Sequence, residues 1–245
     1  MNVGVTASAP LRRLPVGATY NLRDIGDYPV AGGGRTRWGR LFRSDAAQFA
    51  DGSEIAGLGL RTVIDLRDDV EVAVRPTGLD TLVPAVLRRP LAPRTLLSGI
   101  SEGSPDPLGD LYVALVRERG TELAGIVAEL ARPGALPALV HCAAGKDRTG
   151  VVIALVLSAI GVPADVVAAD YALTSTYLTP EFFAGLPAES GAADATDDML
   201  RGARPESIAA MSRVLDTEYG GARGYLTGHG VPGEAIDHLR TALTH

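Results

Sequence analysis

The stretch PALVHC-AAGKD-RTGVVIALVLSAIG, residues 137–161, constrains the fold of this chain more than any other. PALVHC is a compact apolar run of strand length. RTGVVIALVLSAIG (148–161) is apolar nearly all round a helix, so that helix has no face for water and must be buried. A strand feeding a buried helix through a short loop points to an α/β domain with a mostly parallel sheet. The rest of the chain agrees. RTVIDLR (61–67) and TLVPAVLRRPL (81–91) read as further strands, and SEIAGLGL (53–60) as a short helix, with DDVEVAVR (68–75) turning away from the strand before it. LYVALVRERGTELAGIVAELA (111–131) has helical spacing, as one helix broken near Gly120 or as two. Residues 164–178, 205–221 and 232–243 read as helices. NLRDIGDYPVAGGGRTRWGRLFRSD (21–45) has the Gly-rich turns of a hairpin or two ahead of the main sheet. The expectation is one α/β domain over 1–245: a mostly parallel central sheet flanked by helices, with a flexible lead over 1–18.

Composition limits the partners. A formal charge of −6 argues against nucleic acid or an anionic membrane as the main partner, so an anionic substrate must meet a local positive site. The longest apolar run, 151–162, is shorter than the ~20 residues a membrane span needs. The N-terminus lacks the basic start and apolar core of a secretory signal, so the chain is expected in the cytoplasm, or exported without a visible signal. One cysteine excludes an intrachain disulfide framework and a multi-cysteine metal site, and no metal or cofactor is expected. Oligomeric state is left open.

That one cysteine, Cys142, lies in the loop of the opening stretch, together with Lys146, the only lysine among 23 basic residues. The strand brings Cys142 to the carboxyl edge of the sheet, where open α/β folds bind ligands. The following helix directs its free N–H groups and dipole into the loop. Ala143, Ala144 and Gly145 are small enough for the backbone to wrap as a nest of amides round an anion. Arg148 can grip two phosphate oxygens with its planar fork. Helix N-termini and nearby cations lower a thiol pKa from ~8.5 to ~3.5–7.5, which populates the thiolate. A nucleophile on the floor of a phosphate cradle implies attack on phosphorus and a covalent phosphocysteine.

The residues His141, Cys142, Arg148 and Thr149 form H-C-x5-R-T, which resembles the signature of cysteine-dependent tyrosine phosphatases. With NLRDIG, GRLFRSD, a strand ending in DLR, HCAAGKDRTG and the GYL…LR tail, the set is similar to the atypical bacterial tyrosine phosphatases of the mycobacterial phosphatase B type, from about Asn21 to the C-terminus. The resemblance implies a phosphatase fold with a helical lid over 180–230, including Phe182 and Phe183. It implies a phosphatase acting on phosphotyrosine, in some members on phosphoserine/threonine and phosphoinositides. It makes Cys142 the nucleophile and Arg148 the phosphate ligand, with Thr149 hydrogen-bonded to the sulfur, His141 ordering the loop, and Asn21, Arg23 and Asp24 bracing it. It points to Asp147 as general acid, ahead of Asp65 at the strand end and Asp106 in SPDPLGD. Asp65 is expected near the cradle, paired with Lys146, and Arg67 with Glu71 as a structural ion pair. C-x3-K-x-R also resembles the loop of phosphoinositide phosphatases, which gives Lys146 a second phosphate to bind. The substrate is thus a phosphoprotein or a phosphoinositide. A phosphoinositide-preferring phosphatase and a dead phosphate-binding module are the alternatives.

Overall fold

The computed structural model describes residues 12–46, 52–91, 103–185 and 202–245. Five strands form one sheet in the order β1-β2-β5-β3-β4. They are β1 (Arg23–Asp24), β2 (Leu41–Ser44), β3 (Thr62–Asp65), β4 (Ala85–Arg88) and β5 (Ala138–His141). All neighbours are parallel except β1, which runs antiparallel to β2. The mostly parallel sheet is as expected. The hairpin placed ahead of the sheet needs correction: β2 lies within it beside β5, and β1 is its edge. Alternation explains why. Leu41, Ile64 and Val140 enter the larger core on one face, while Phe42, Val63 and Leu139 enter a smaller one on the other. Four buried residues between Gly-rich turns are too short a pattern to show this in the sequence.

The helices are α1 (Gly52–Ala56), α2 (Asp69–Val74), α3 (Pro107–Glu118), α4 (Gly120–Ala131), α5 (Asp147–Ala159), α6 (Ala164–Tyr177), α7 (Pro180–Ala184), α8 (Pro205–Tyr219), α9 (Ala222–Gly228) and α10 (Gly233–Leu243). The run 111–131 is divided between two helices. A Cβ on Gly120 would run into the His229 ring, which fixes a glycine at the break. Every residue of α5 from Val151 to Leu157 is at most 2% exposed. Leu155→Ala there should cost about 2–5 kcal/mol in lost burial and cavity.

Residues 12–18 of the expected flexible lead are tied to β1 and the residue before it, with the Asp24 N–H donating to Arg12 O and the Leu14 N–H to Leu22 O, both at 3.0 Å; residues 1–11 lie outside the described residues. Of the 180–230 segment, 186–201 also lie outside them. Ile208, Met211, Leu215, Tyr225 and Leu226 belong to the main core. Phe182 is buried and edge-on to Tyr20 at 5.3 Å. Among the described residues no helix is long and apolar enough to cross a membrane.

The parallel strands bring Ser44, His141, Asp65 and Arg88 into one row at the carboxyl edge. Cys142 is the first residue beyond the row, from its central strand.

Candidate active site

Cys142 is 2% exposed and opens the loop that ends at the start of α5. Gly145 has φ +65°, and a Cβ there would collide with the Ser44 carbonyl, so this position requires glycine twice over. The loop carbonyls are turned to scaffold donors. Ala143 O accepts from the Ala46 N–H at 2.9 Å. Ala144 O and Gly145 O accept from Asn21 Nδ2 at 3.0 and 3.1 Å, and Gly145 O also from Arg43 Nη2 at 2.8 Å. The first N–H groups of α5 have no partner within the helix, so its N-terminus adds positive potential at the loop.

Behind these braces lies a buried ionic network that the sequence reading missed. Asp170, on α6, accepts from Arg23 Nε at 3.1 Å, Arg43 Nη1 at 2.7 Å and the Tyr28 hydroxyl at 2.8 Å. Arg23 also donates to Asn21 Oδ1 and to Thr174 Oγ1. Burial pushes the Asp170 carboxyl up, but the Arg23 and Arg43 charges outweigh it and hold the group well below the usual carboxylate range. Asn21 and Arg23 therefore brace the loop as expected. Asp24 does not: its carboxylate accepts from the Gly26 and Gly39 N–H groups and secures a turn. Asp45 takes its place near the loop, accepting from the backbone of Tyr20 and Asn21, with its pKa raised by burial against those bonds.

Arg148 is 8% exposed. Its Nη1 donates to Leu66 O at 3.2 Å and to Glu71 at 2.7 Å, and its Nη2 to the other Glu71 oxygen at 2.6 Å. Burial works against both charges, but the paired hydrogen bonds and mutual attraction prevail: Glu71 is held low and Arg148 high. Glu71 is itself fixed by a capping box with Asp68 at the start of α2. The expected Arg67–Glu71 pair is thus wrong. Arg67 grips Asp65, with Nη2–Oδ2 at 2.8 Å and Nε–Oδ1 at 3.0 Å.

The Asp65–Lys146 pair is also corrected. Asp65 is in the expected row, but it faces Arg67 and, at 3.8 Å, His141 Nε2. Burial raises the Asp65 pKa, and the Arg67 hydrogen bonds and the neighbouring charges lower it by more. Lys146 is 3% exposed, and its Nζ lies 3.3 Å from Gly202 O and 3.6 Å from Asp147 Oδ1. The Gly202 carbonyl lies 56 positions beyond Lys146, so the loop sequence held no sign of that contact. Thr149 Oγ1 is buried with no hydrogen-bond partner among the described residues, so the expected bond to the Cys142 sulfur is not formed. His141 Nδ1 lies 3.4 Å from Cys142 O, and burial lowers its pKa, which fits a neutral ring ordering the loop.

The three acid candidates separate. Asp106 caps α3, accepting from the Gly109 N–H at 3.1 Å and Ser207 Oγ at 2.6 Å. Asp65 lies in the Arg67 ion pair with its side chain 5% exposed. Asp147 is in the first turn of α5, its side chain 30% exposed, and it accepts from the Tyr112 hydroxyl at 2.6 Å. The site therefore brings together Cys142, the loop, Asp147, Arg148 and the end of β3, and leaves Asp106 to a helix cap.

Comparison with known proteins identifies the family. A family model described as "Tyrosine phosphatase family" matches residues 14–245. The triple specificity protein phosphatase PtpB of Mycobacterium tuberculosis is 30% identical over 286 residues, spanning 95% of this chain and 99% of that protein. A tyrosine-protein phosphatase of Nostoc commune is 30% identical over 209 residues, spanning 79% and 69%. The crystal structure of TpbA from P. aeruginosa matches at a TM-score of 0.37 and 20% identity, over 71% of this chain and 86% of that one, a likeness too loose to carry an argument. The family match runs through the strands, the loop and the helices described above, and the chain belongs to the tyrosine phosphatase family, as a phosphoric monoester hydrolase.

Proposed function

We propose that this enzyme hydrolyses phosphotyrosine through a phosphocysteine at Cys142, and that it also accepts phosphoserine/threonine and phosphoinositide monoesters. The observation that carries the first part is the Glu71–Arg148 pair beside the loop. Arg148 has five N–H donors. Glu71 and Leu66 O take both on Nη1 and one on Nη2. The Nε–Nη2 edge is left for two phosphate oxygens, and Glu71 fixes its direction before substrate arrives.

The reaction then balances in two steps. The Cys142 thiolate attacks phosphorus, the S–P bond forms as the P–O bond to tyrosine breaks, and Asp147 gives its proton to the departing oxygen. Asp147, now a carboxylate, takes a proton from water as that water attacks phosphorus. The S–P bond breaks, inorganic phosphate leaves, and thiolate and acid are restored. Arg148, the loop amides and the α5 N-terminus stabilise the charge on the equatorial oxygens.

The broader range is supported by the mycobacterial relative, which is named a triple specificity protein phosphatase. Lys146 adds a cation in the loop for a second phosphate on an inositol ring, reached by turning away from neighbours that include Gly202 O and Asp147. The test is one panel of phosphotyrosine peptide, phosphoserine peptide and phosphoinositides under a single set of conditions, with wild type and Cys142→Ser. Turnover of all three classes, abolished in the variant, is expected. Turnover of phosphotyrosine alone would remove the broader range, and retained turnover in the variant would remove the cysteine mechanism.

A further inference from the structure

We propose that Tyr112 and Tyr171 form a positioning chain that selects which oxygen of Asp147 carries the catalytic proton. The proposal rests on the reading of Asp147 as general acid and adds the groups that set it.

The two tyrosines come from different helices, α3 and α6, and meet beneath the first turn of α5. Tyr112 is 0% and Tyr171 1% exposed. The Tyr112 hydroxyl lies 2.6 Å from Asp147 Oδ1 and 2.5 Å from the Tyr171 hydroxyl, with the rings edge-on at 5.8 Å. A tyrosine hydroxyl has one hydrogen to donate. Tyr112 gives it to Asp147, so Tyr171 must be the donor to Tyr112. The chain therefore runs one way, from Tyr171 through Tyr112 to Oδ1. Burial, with the Asp147 charge next to it, keeps the Tyr112 phenol well above its ordinary pKa, so it stays a donor. Lys146 Nζ also approaches Oδ1, at 3.6 Å. With donors gathered on Oδ1, a proton on the carboxyl sits on Oδ2.

The sequence is shaped for this contact. A Cβ on Gly150, the last residue of HCAAGKDRTG, would lie 2.9 Å from the Tyr171 ring. Any larger residue there would push Tyr171 off Tyr112. The final glycine of the motif thus makes room for the chain that reaches back to its own aspartate.

The test is Tyr112→Phe, Asp147→Asn and the double variant, each assayed on phenyl phosphate (a poor leaving group) and 2,4-dinitrophenyl phosphate (a good one), with thermal unfolding alongside. General acid catalysis contributes ~10²–10⁴-fold, and misplacing the acid should forfeit about tenfold or more of it. Tyr112→Phe is expected to slow phenyl phosphate roughly tenfold while changing the dinitrophenyl ester less than about threefold, and to flatten the basic limb of the kcat profile. In the Asp147→Asn background it should add no further selectivity. Tyr171→Phe should show the same selectivity in smaller measure, and it decides the matter alone if Tyr112→Phe does not fold. Equal losses on both esters from the tyrosine variants, with selective loss from Asp147→Asn, overturn the positioning chain and leave the acid standing. Equal losses from Asp147→Asn itself overturn the acid assignment and the chain with it.

Discussion

Asp170→Asn should be among the most damaging single-atom changes in this protein. The substitution keeps the size of the side chain and much of its hydrogen bonding, and removes its charge. Arg23 is 0% and Arg43 1% exposed, and both form salt bridges with this one carboxylate. Arg23 is already pushed down to about 10 by burial and by the Arg43 charge. Removing one partner of a buried ion pair costs about 3–5 kcal/mol, because it leaves uncompensated buried charge. At ~2–4 °C per kcal/mol for a chain of this size, Tm should fall by roughly 6–20 °C. The pH dependence gives a second handle. The Asp170 pKa is lower folded than unfolded, so its stabilisation is complete above the unfolded value of about 3.9 and is lost only as pH falls through the folded value. Urea unfolding of wild type and variant should therefore differ by a constant amount from neutral pH down to about pH 5, and converge below about pH 4. Arg43 also holds Gly145 O, so activity should fall on good and poor leaving groups alike. A loss of less than about 1 kcal/mol at neutral pH, or a difference that does not change in acid, would refute the reasoning.

Gly145→Ala, at φ +65° and against the Ser44 carbonyl, should displace the loop and lower kcat/KM by at least about 10²-fold, measured on an aryl phosphate. Glu71→Gln should loosen the direction of Arg148: a hydrogen bond to a charged group contributes ~1.5–3 kcal/mol, so kcat/KM should fall roughly tenfold to a hundredfold, with inhibition by inorganic phosphate weakening in parallel. Lys146→Ala should lower turnover of phosphoinositides more than of phosphotyrosine peptide; equal losses would assign Lys146 to loop structure, and full activity of Lys146→Arg on both would make its identity incidental.

The loop was legible in the sequence because its parts are contiguous. A strand, small residues, an arginine and an all-apolar helix fix where Cys142 and Arg148 lie with no knowledge of the rest of the chain. The partners that direct those groups come from far away, and only folding brings them in. Glu71 lies 77 positions from Arg148, yet DDVE carried a sign of it: an aspartate followed by glutamate three residues on is a capping box, which fixes Glu71 at the start of a helix after the β3 strand. Asp170 also left a sign, as a charged residue on the stripe Val167, Tyr171 and Thr174 that faces the core. A carboxylate there needs buried cations, and the arginines of NLRDIG and GRLFRSD supply them. Lys146 left none for its bond to Gly202 O, which lies 56 positions away. The short helix α9 left little sign, because ARGYLTG is bounded and interrupted by glycines.

The central claim is that phosphorus is carried by Cys142. Acid quenching of the enzyme during turnover of an aryl phosphate, followed by peptide mass spectrometry, tests it most directly. The account predicts one phosphoryl group on the peptide containing Cys142, accumulating further in Asp147→Asn, where the second step lacks its base, and absent from Cys142→Ser. Phosphoryl label on any other residue, or turnover that survives in Cys142→Ser, would contradict it.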